Sequence, residues 1–176
     1  MNLDFIVLGL PRSGTTWLAN LLTTSSSLCL HDPFASLLPE QIRGDGRLLG
    51  VSCTGMYLMP ALLEEQRCPV AVIERDVADC DAGLARLRLG SAAALKPHLD
   101  RVQARRFAFT DLWKEDQAHQ LWSYLLPGVP WDSLRYRLLR GMRVEPLNPH
   151  QYNPDVAKEL AARGLFVMED GSCLGA

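Results

Sequence analysis

The run Phe5-Ile6-Val7-Leu8-Gly9-Leu10-Pro11-Arg12-Ser13-Gly14-Thr15-Thr16-Trp17-Leu18 carries the residues best suited to holding an anion. A wholly apolar stretch leads into a turn of small residues. Gly9 and Gly14 have the spacing of a phosphate loop, in which successive backbone N–H groups point at an anion with the positive end of a helix behind them. Ser13, Thr15 and Thr16 can add hydroxyl donors, and Arg12 adds a charge. The nucleoside-triphosphatase form of such a loop, G-x-x-x-x-G-K-[ST], has its lysine where Thr15 stands. Here the basic residue has moved forward to Arg12. That arrangement suits an anion other than the β/γ-phosphates of a triphosphate, with no obligatory metal.

A loop of this kind needs a buried strand before it and a helix after it. The apolar run from Phe5 supplies the strand, and Trp17, Leu18, Leu21 and Leu22 fall at helical spacing. Further strands are expected at Leu28–Asp32, Leu48–Cys53, Pro69–Arg75 and Phe107–Thr110. Pro33 biases Asp32 away from helix and ends the second of these strands. Helices are expected over Phe34–Gln41, over Met56–Gln66 with a late start at Pro60, over Ala78–Leu89, over Ala92–Arg105 and over Lys114–Leu126. Another is capped by Asp132 or Ser133, with Leu134, Leu138 and Met142 on one side. A short one lies near Asp155–Arg163, before a loose end.

Strands alternating with helices predict an α/β fold: one P-loop-type domain over residues 1–145, its mostly parallel sheet flanked by helices, with a partly helical or loose extension over 146–176. Ligands of such sheets sit at the carboxyl ends of the strands. The residues there are Pro11–Thr16, His31 and Asp32, Cys53 and Thr54, Arg75, and Thr110 and Asp111.

Pro11-Arg12-Ser13-Gly14-Thr15-Thr16-Trp17-Leu18 resembles the 5′-phosphosulfate loop of the sulfotransferases, P-[KR]-S-G-T-T-W-L. Ile73-Glu74-Arg75-Asp76-Val77-Ala78-Asp79 resembles that family's second motif, a strand followed by R-N-x-x-D-x-x-x-S. The resemblance implies 3′-phosphoadenylyl sulfate as co-substrate, with Arg75 on its 3′-phosphate. Gly83 falls where the family has a serine ligand of that phosphate. Asp79 matches the family's aspartate, and an ion pair between Arg75 and Asp79 is the alternative role for the arginine. Phe109-Thr110-Asp111-Leu112 and the helix to Gly128 are similar to a third segment, Y-E-D-L. The resemblance places Phe109 and Trp17 near the adenine, with core packing as the alternative for both. Trp113, Trp122 and Trp131 match no motif and are expected in the core. The resemblance stops near residue 130. The late R-K-G-x-x-G motif of the cytosolic members is missing, as is their histidine after the third strand.

The resemblance implies transfer of a sulfo group to a hydroxyl or amine of a small-molecule or carbohydrate acceptor. Arg12 and the loop amides would stabilise the sulfonate and its leaving phosphate. His31-Asp32-Pro33 is similar to the E-P of the carbohydrate and bacterial members, and makes Asp32 the candidate base. Adjacent strand residues point to opposite faces, so Asp32 is expected to face the site and His31 to face away from it. A small P-loop kinase, or a protein that binds adenosine bisphosphate without turnover, are the other readings. The chain is short for the family, so the acceptor pocket is either minimal or completed by a partner subunit, as in a homodimer.

Composition bounds these readings. The chain has 176 residues, 48% apolar and 22% charged, with a formal net charge of -2. No global basic field is there to recruit nucleic acid. Arg135, Arg137, Arg140 and Arg143 are expected to form a solvated helix face. Five cysteines without a C-x-x-C pair indicate neither a disulfide framework nor a zinc site, and fit a reducing cytoplasm. The amino terminus lacks a positive segment and is expected to be a core strand rather than a signal peptide. No apolar stretch is long enough to span a membrane.

Overall fold

The computed structural model describes residues 1–87, 90–144 and 152–165. Five parallel strands form one sheet: β1 Phe5–Gly9, β2 Ser27–His31, β3 Leu48–Cys53, β4 Val70–Glu74 and β5 Arg105–Ala108, in the order β2-β3-β1-β4-β5. β1 is central and buried throughout, so its run is apolar without alternation. It pairs Ile6 with Val51 on one side and with Val70 on the other.

The helices divide between the two faces. Phe5 and Val7 of β1 point to a core built with α1 (Thr15–Leu22), α5 (Glu115–Leu125) and α6 (Ser133–Arg140). Ile6 and Leu8 point to a core built with α2 (Pro60–Glu64), α3 (Val77–Ala85), α4 (Ala92–Asp100) and α7 (Pro154–Ala162). The period of two along the strand assigns these faces.

Several expected boundaries move. Phe34–Gln41 is two short 3-10 turns, Pro33–Ala35 and Pro39–Gln41, each opened by a proline, not one helix. Met56–Leu58 is also a 3-10 turn, and the α-helix begins at Pro60, whose fixed φ and missing N–H suit a first turn. The helix expected over Ala92–Arg105 ends at Asp100, because Arg105 already belongs to β5. α3 ends at Ala85; Arg88 and Leu89 lie outside the described residues. Leu134, Leu138 and Met142 are exposed, and α6 buries Tyr136 instead, whose hydroxyl donates to the Leu112 carbonyl at 3.0 Å.

The described part of the tail packs on the body. Val156 and Leu160 of α7 enter the core, Asn153 N–H donates to the Ala35 carbonyl at 2.8 Å, and Arg163 pairs with Glu40. Residues 145–151 and the expected loose end, 166–176, lie outside the described residues. Among the described residues no helix is long and apolar enough to cross a membrane.

Candidate functional site

The carboxyl ends of β1, β2, β3 and β4 open into one cleft of about 630 Å³. The turn after β1 forms its floor. Arg12 and Gly14 both have positive φ, 70° and 99°, so the chain curls tightly before α1 begins at Thr15. Only glycine serves at position 14. A Cβ there would stand 2.1 Å from Cε2 of Phe109, and the ring therefore lies directly under the loop. Phe109 is buried and lies outside the lining of the cleft; its ring supports Gly14 and carries the Arg75 guanidinium, 5.2 Å from its centroid.

The loop hydroxyls divide. Ser13 is fully buried, its Oγ has no hydrogen-bond partner, and its side chain lies outside the cleft; its amide donates to the Leu10 carbonyl. Thr15 and Thr16 line the cleft. Their Oγ1 atoms lie 3.3 and 3.0 Å from Nε2 of His31.

The expected orientation of His31 is overturned. Ser27, Cys29 and His31 share one face of β2, the face covered by α1, and so the His31 ring meets the first turn of that helix. Asp32 is no longer in the strand. Its backbone is left-handed, φ 43° and ψ 48°, a conformation that a short polar side chain tolerates. This reversal brings the Asp32 carboxylate to the same side as His31, with Oδ2 3.3 Å from Nε2. Period-two alternation stops at His31, the last residue of β2, and so does not set the direction of the Asp32 side chain. The carboxylate also accepts from the Thr54 amide at 2.5 Å and from the Thr54 hydroxyl at 3.0 Å. Thr54 follows β3, so these bonds tie the ends of two adjacent strands together.

Arg75 follows β4. The Asp76 carboxylate accepts from the amides of Ala78 and Asp79 and caps α3, which turns the chain away and leaves Arg75 at the cleft. Arg75 Nη1 donates to the Arg12 carbonyl at 3.0 Å, and its Nε is 3.7 Å from Asp79. The guanidinium thus braces the loop while it lines the cleft.

Gly83 lies in the middle of α3, against Arg12. A Cβ at position 83 would approach Arg12 Cγ to 3.1 Å and its Cβ and Nε to 3.2 Å. The missing side chain is where the stem of Arg12 runs. In this chain the loop arginine occupies the room that a serine there would need.

Trp17 borders the cleft but is mostly covered. Its Nε1 donates to the Leu139 carbonyl at 3.1 Å, and its ring meets Trp113 and Tyr136. Trp113, expected in the core, is instead half-buried and forms part of the wall with Leu84, Leu87, Met142 and Val144. No motif marks these residues. They come from three separate stretches of the chain, around residues 84–87, 113 and 142–144, and meet only through packing. Arg143 also lines the cleft, whereas Arg135 turns inward, so the arginines from 135 to 143 are not one solvated face.

Burial pushes the thiol pKa of Cys53 well up, and the neighbouring Asp32 carboxylate pushes it further. The thiol beside the site is therefore not a nucleophile at neutral pH. Among the described residues no group of three His, Cys, Asp or Glu side chains could hold a metal ion.

The cleft is of ordinary size for a small ligand. The loop after β1, two threonine hydroxyls and two arginines give the cleft groups suited to an anion, and Trp113 adds an aromatic side chain to its wall. Comparison with known protein families, with characterised proteins and with solved structures gives no match.

Proposed function

We propose that the chain is a sulfotransferase-like enzyme that moves a sulfo group from 3′-phosphoadenylyl sulfate to a hydroxyl or amine. The observation that carries this reading is the cleft itself. The lysine-free phosphate loop, Arg75 and the His31–Asp32 pair line a single cavity. Bound there, the donor would supply a sulfo group on a phosphate leaving group. Arg12 and the loop amides would stabilise the negative charge that develops on that phosphate. Thr15 and Thr16 would orient the donor from the first turn of α1. Asp32, held by Thr54 and flanked by His31, would take the proton of the acceptor.

The test is a calorimetric comparison of adenosine 3′,5′-bisphosphate with AMP. The bisphosphate should bind more tightly by about 1.5–3 kcal/mol, the worth of a charge-assisted contact. Arg75→Ala should weaken both nucleotides, because Arg75 also braces the loop at the Arg12 carbonyl. The difference between the two should vanish. Equal binding of the two nucleotides by the unaltered protein would sink the reading. Phosphate transfer that depends on magnesium would replace it with a kinase.

A further inference from the structure

A second, smaller cavity of about 190 Å³ lies behind the His31–Asp32 pair and shares Asp32 and Thr54 with the cleft. Its walls come from the turn after β2 (Phe34, Ala35), from Met59 and from α7 (Ala157, Leu160). These residues have no part in the phosphate loop or its neighbours, yet they enclose space against the carboxylate of the candidate base. We propose that this cavity is the acceptor pocket and that its ligand is a neutral compound with one apolar ring and a hydroxyl directed at Asp32. The proposal rests on the sulfo-transfer reading for the role of the pocket, but not for what the pocket binds.

Three observations select this class of ligand. The volume suits one ring: an apolar protein cavity of about 150 Å³ takes benzene. The walls are almost wholly apolar. A sugar would bring several hydroxyls into a space where Asp32, Thr54 and Tyr152 are the polar lining residues, and each hydroxyl left without a partner is penalised. Asp32 is the one charged residue in the lining, its carboxylate restrained by the Thr54 amide and hydroxyl and held on a left-handed backbone. A single hydroxyl directed at it has an acceptor for its proton.

The step balances. The acceptor oxygen forms a bond to the sulfur of 3′-phosphoadenylyl sulfate, and the bond from sulfur to the bridging phosphate oxygen breaks. The electron pair leaves with adenosine 3′,5′-bisphosphate, and the acceptor's proton passes to the Asp32 carboxylate.

The test uses the full chain and phenol as probe, with glucose for comparison, and follows methyl resonances by NMR with no donor present. Phenol should shift the methyl signals of Met59, Ala157 and Leu160, and glucose should not. Ala157→Phe, which fills the pocket, should weaken phenol at least tenfold while the affinity for adenosine 3′,5′-bisphosphate stays unchanged. If that variant fails to fold, Ala35→Leu closes the pocket from the opposite wall and should give the same loss. Phenol shifts elsewhere than at these methyls, equal shifts from glucose, or undiminished phenol binding in a folded pocket-filling variant would each overturn the assignment. Failure of the bisphosphate to bind, with phenol still seated at Met59 and Leu160, would instead overturn sulfo transfer and leave the pocket's ligand class standing.

Discussion

At the scale of single residues, the site depends on how His31 and Asp32 share one side of the sheet end. Oδ2 of the carboxylate is 3.3 Å from Nε2 of the ring, and that nitrogen is also 3.0 Å from Thr16 Oγ1. A change at either residue therefore disturbs the other. Asp32→Asn keeps the shape and removes the proton acceptor, and should lower kcat by about 10²–10⁴-fold with nucleotide binding nearly intact. His31→Ala should now also lower kcat, since the ring supports both the carboxylate and the loop threonines. A fully active Asp32→Asn variant would move the base elsewhere. Gly83 gives a second test at this scale. Placing a serine at position 83 adds a Cβ 3.1 Å from the Arg12 stem, and so should displace Arg12 rather than supply a new ligand. Gly83→Ser should weaken nucleotide binding. Tighter binding would show that the arginine can move aside at no cost.

At the scale of elements, α1 carries the loop that floors the cleft and must be held firmly. An α-helix leaves its last four carbonyls without partners inside the helix. Here all four are met from outside: Ala19 by the Thr23 hydroxyl at 2.9 Å, Asn20 and Leu21 by the Arg135 guanidinium, each at 3.1 Å from its Nε, and Leu22 by the Ser27 hydroxyl at 2.7 Å. Arg135 belongs to α6, so it fastens the far end of the loop helix to an element more than a hundred residues away. Its charge also lies at the negative end of the α1 dipole. Arg135→Ala should cost about 1.5–3 kcal/mol, the range for bonds to a charged donor, read as a lowered midpoint in urea. Arg137→Ala, on the exposed side of the same helix, should cost far less. Equal losses would show that α6 itself, not its guanidinium, holds α1.

At the scale of the whole molecule, burial sets the response to alkali. The pKa values of Cys29, Cys53 and Tyr57 are all raised, with desolvation the largest cause in each. In the unfolded chain the thiols titrate near 9.0 and the phenol near 10.0. Above those values the folded chain retains protons that the unfolded chain has lost, so stability falls as pH rises. Well below pH 9.0 all three groups are protonated in both states and contribute no slope. The urea midpoint should be nearly flat from about pH 7 to about pH 8 and decline beyond it, and Cys29→Ala should reduce the decline. A midpoint unchanged up to about pH 10.5 would contradict the burial of these groups.

The sequence by itself determined the local features: the apolar β1, the turn after it, the start of α1, the proline-set start of α2 at Pro60, and the alternation that makes the sheet parallel. Each depends on neighbours a few residues apart, through periodicity, capping and the backbone freedom of glycine. The tertiary structure alone decided which side chains meet. His31 reached the loop threonines because β2 lies two strands from β1, with the α1 face above it. Asp32 joined it because the chain reversed at a residue that strand periodicity no longer governed. Gly83 proved to be a place for Arg12, Trp113 became part of the cleft wall, and Phe34, Met59 and Leu160 closed a pocket, all through contacts between distant segments. No short-range pattern encodes such contacts, because they follow from the order of the strands and from which helix covers which face.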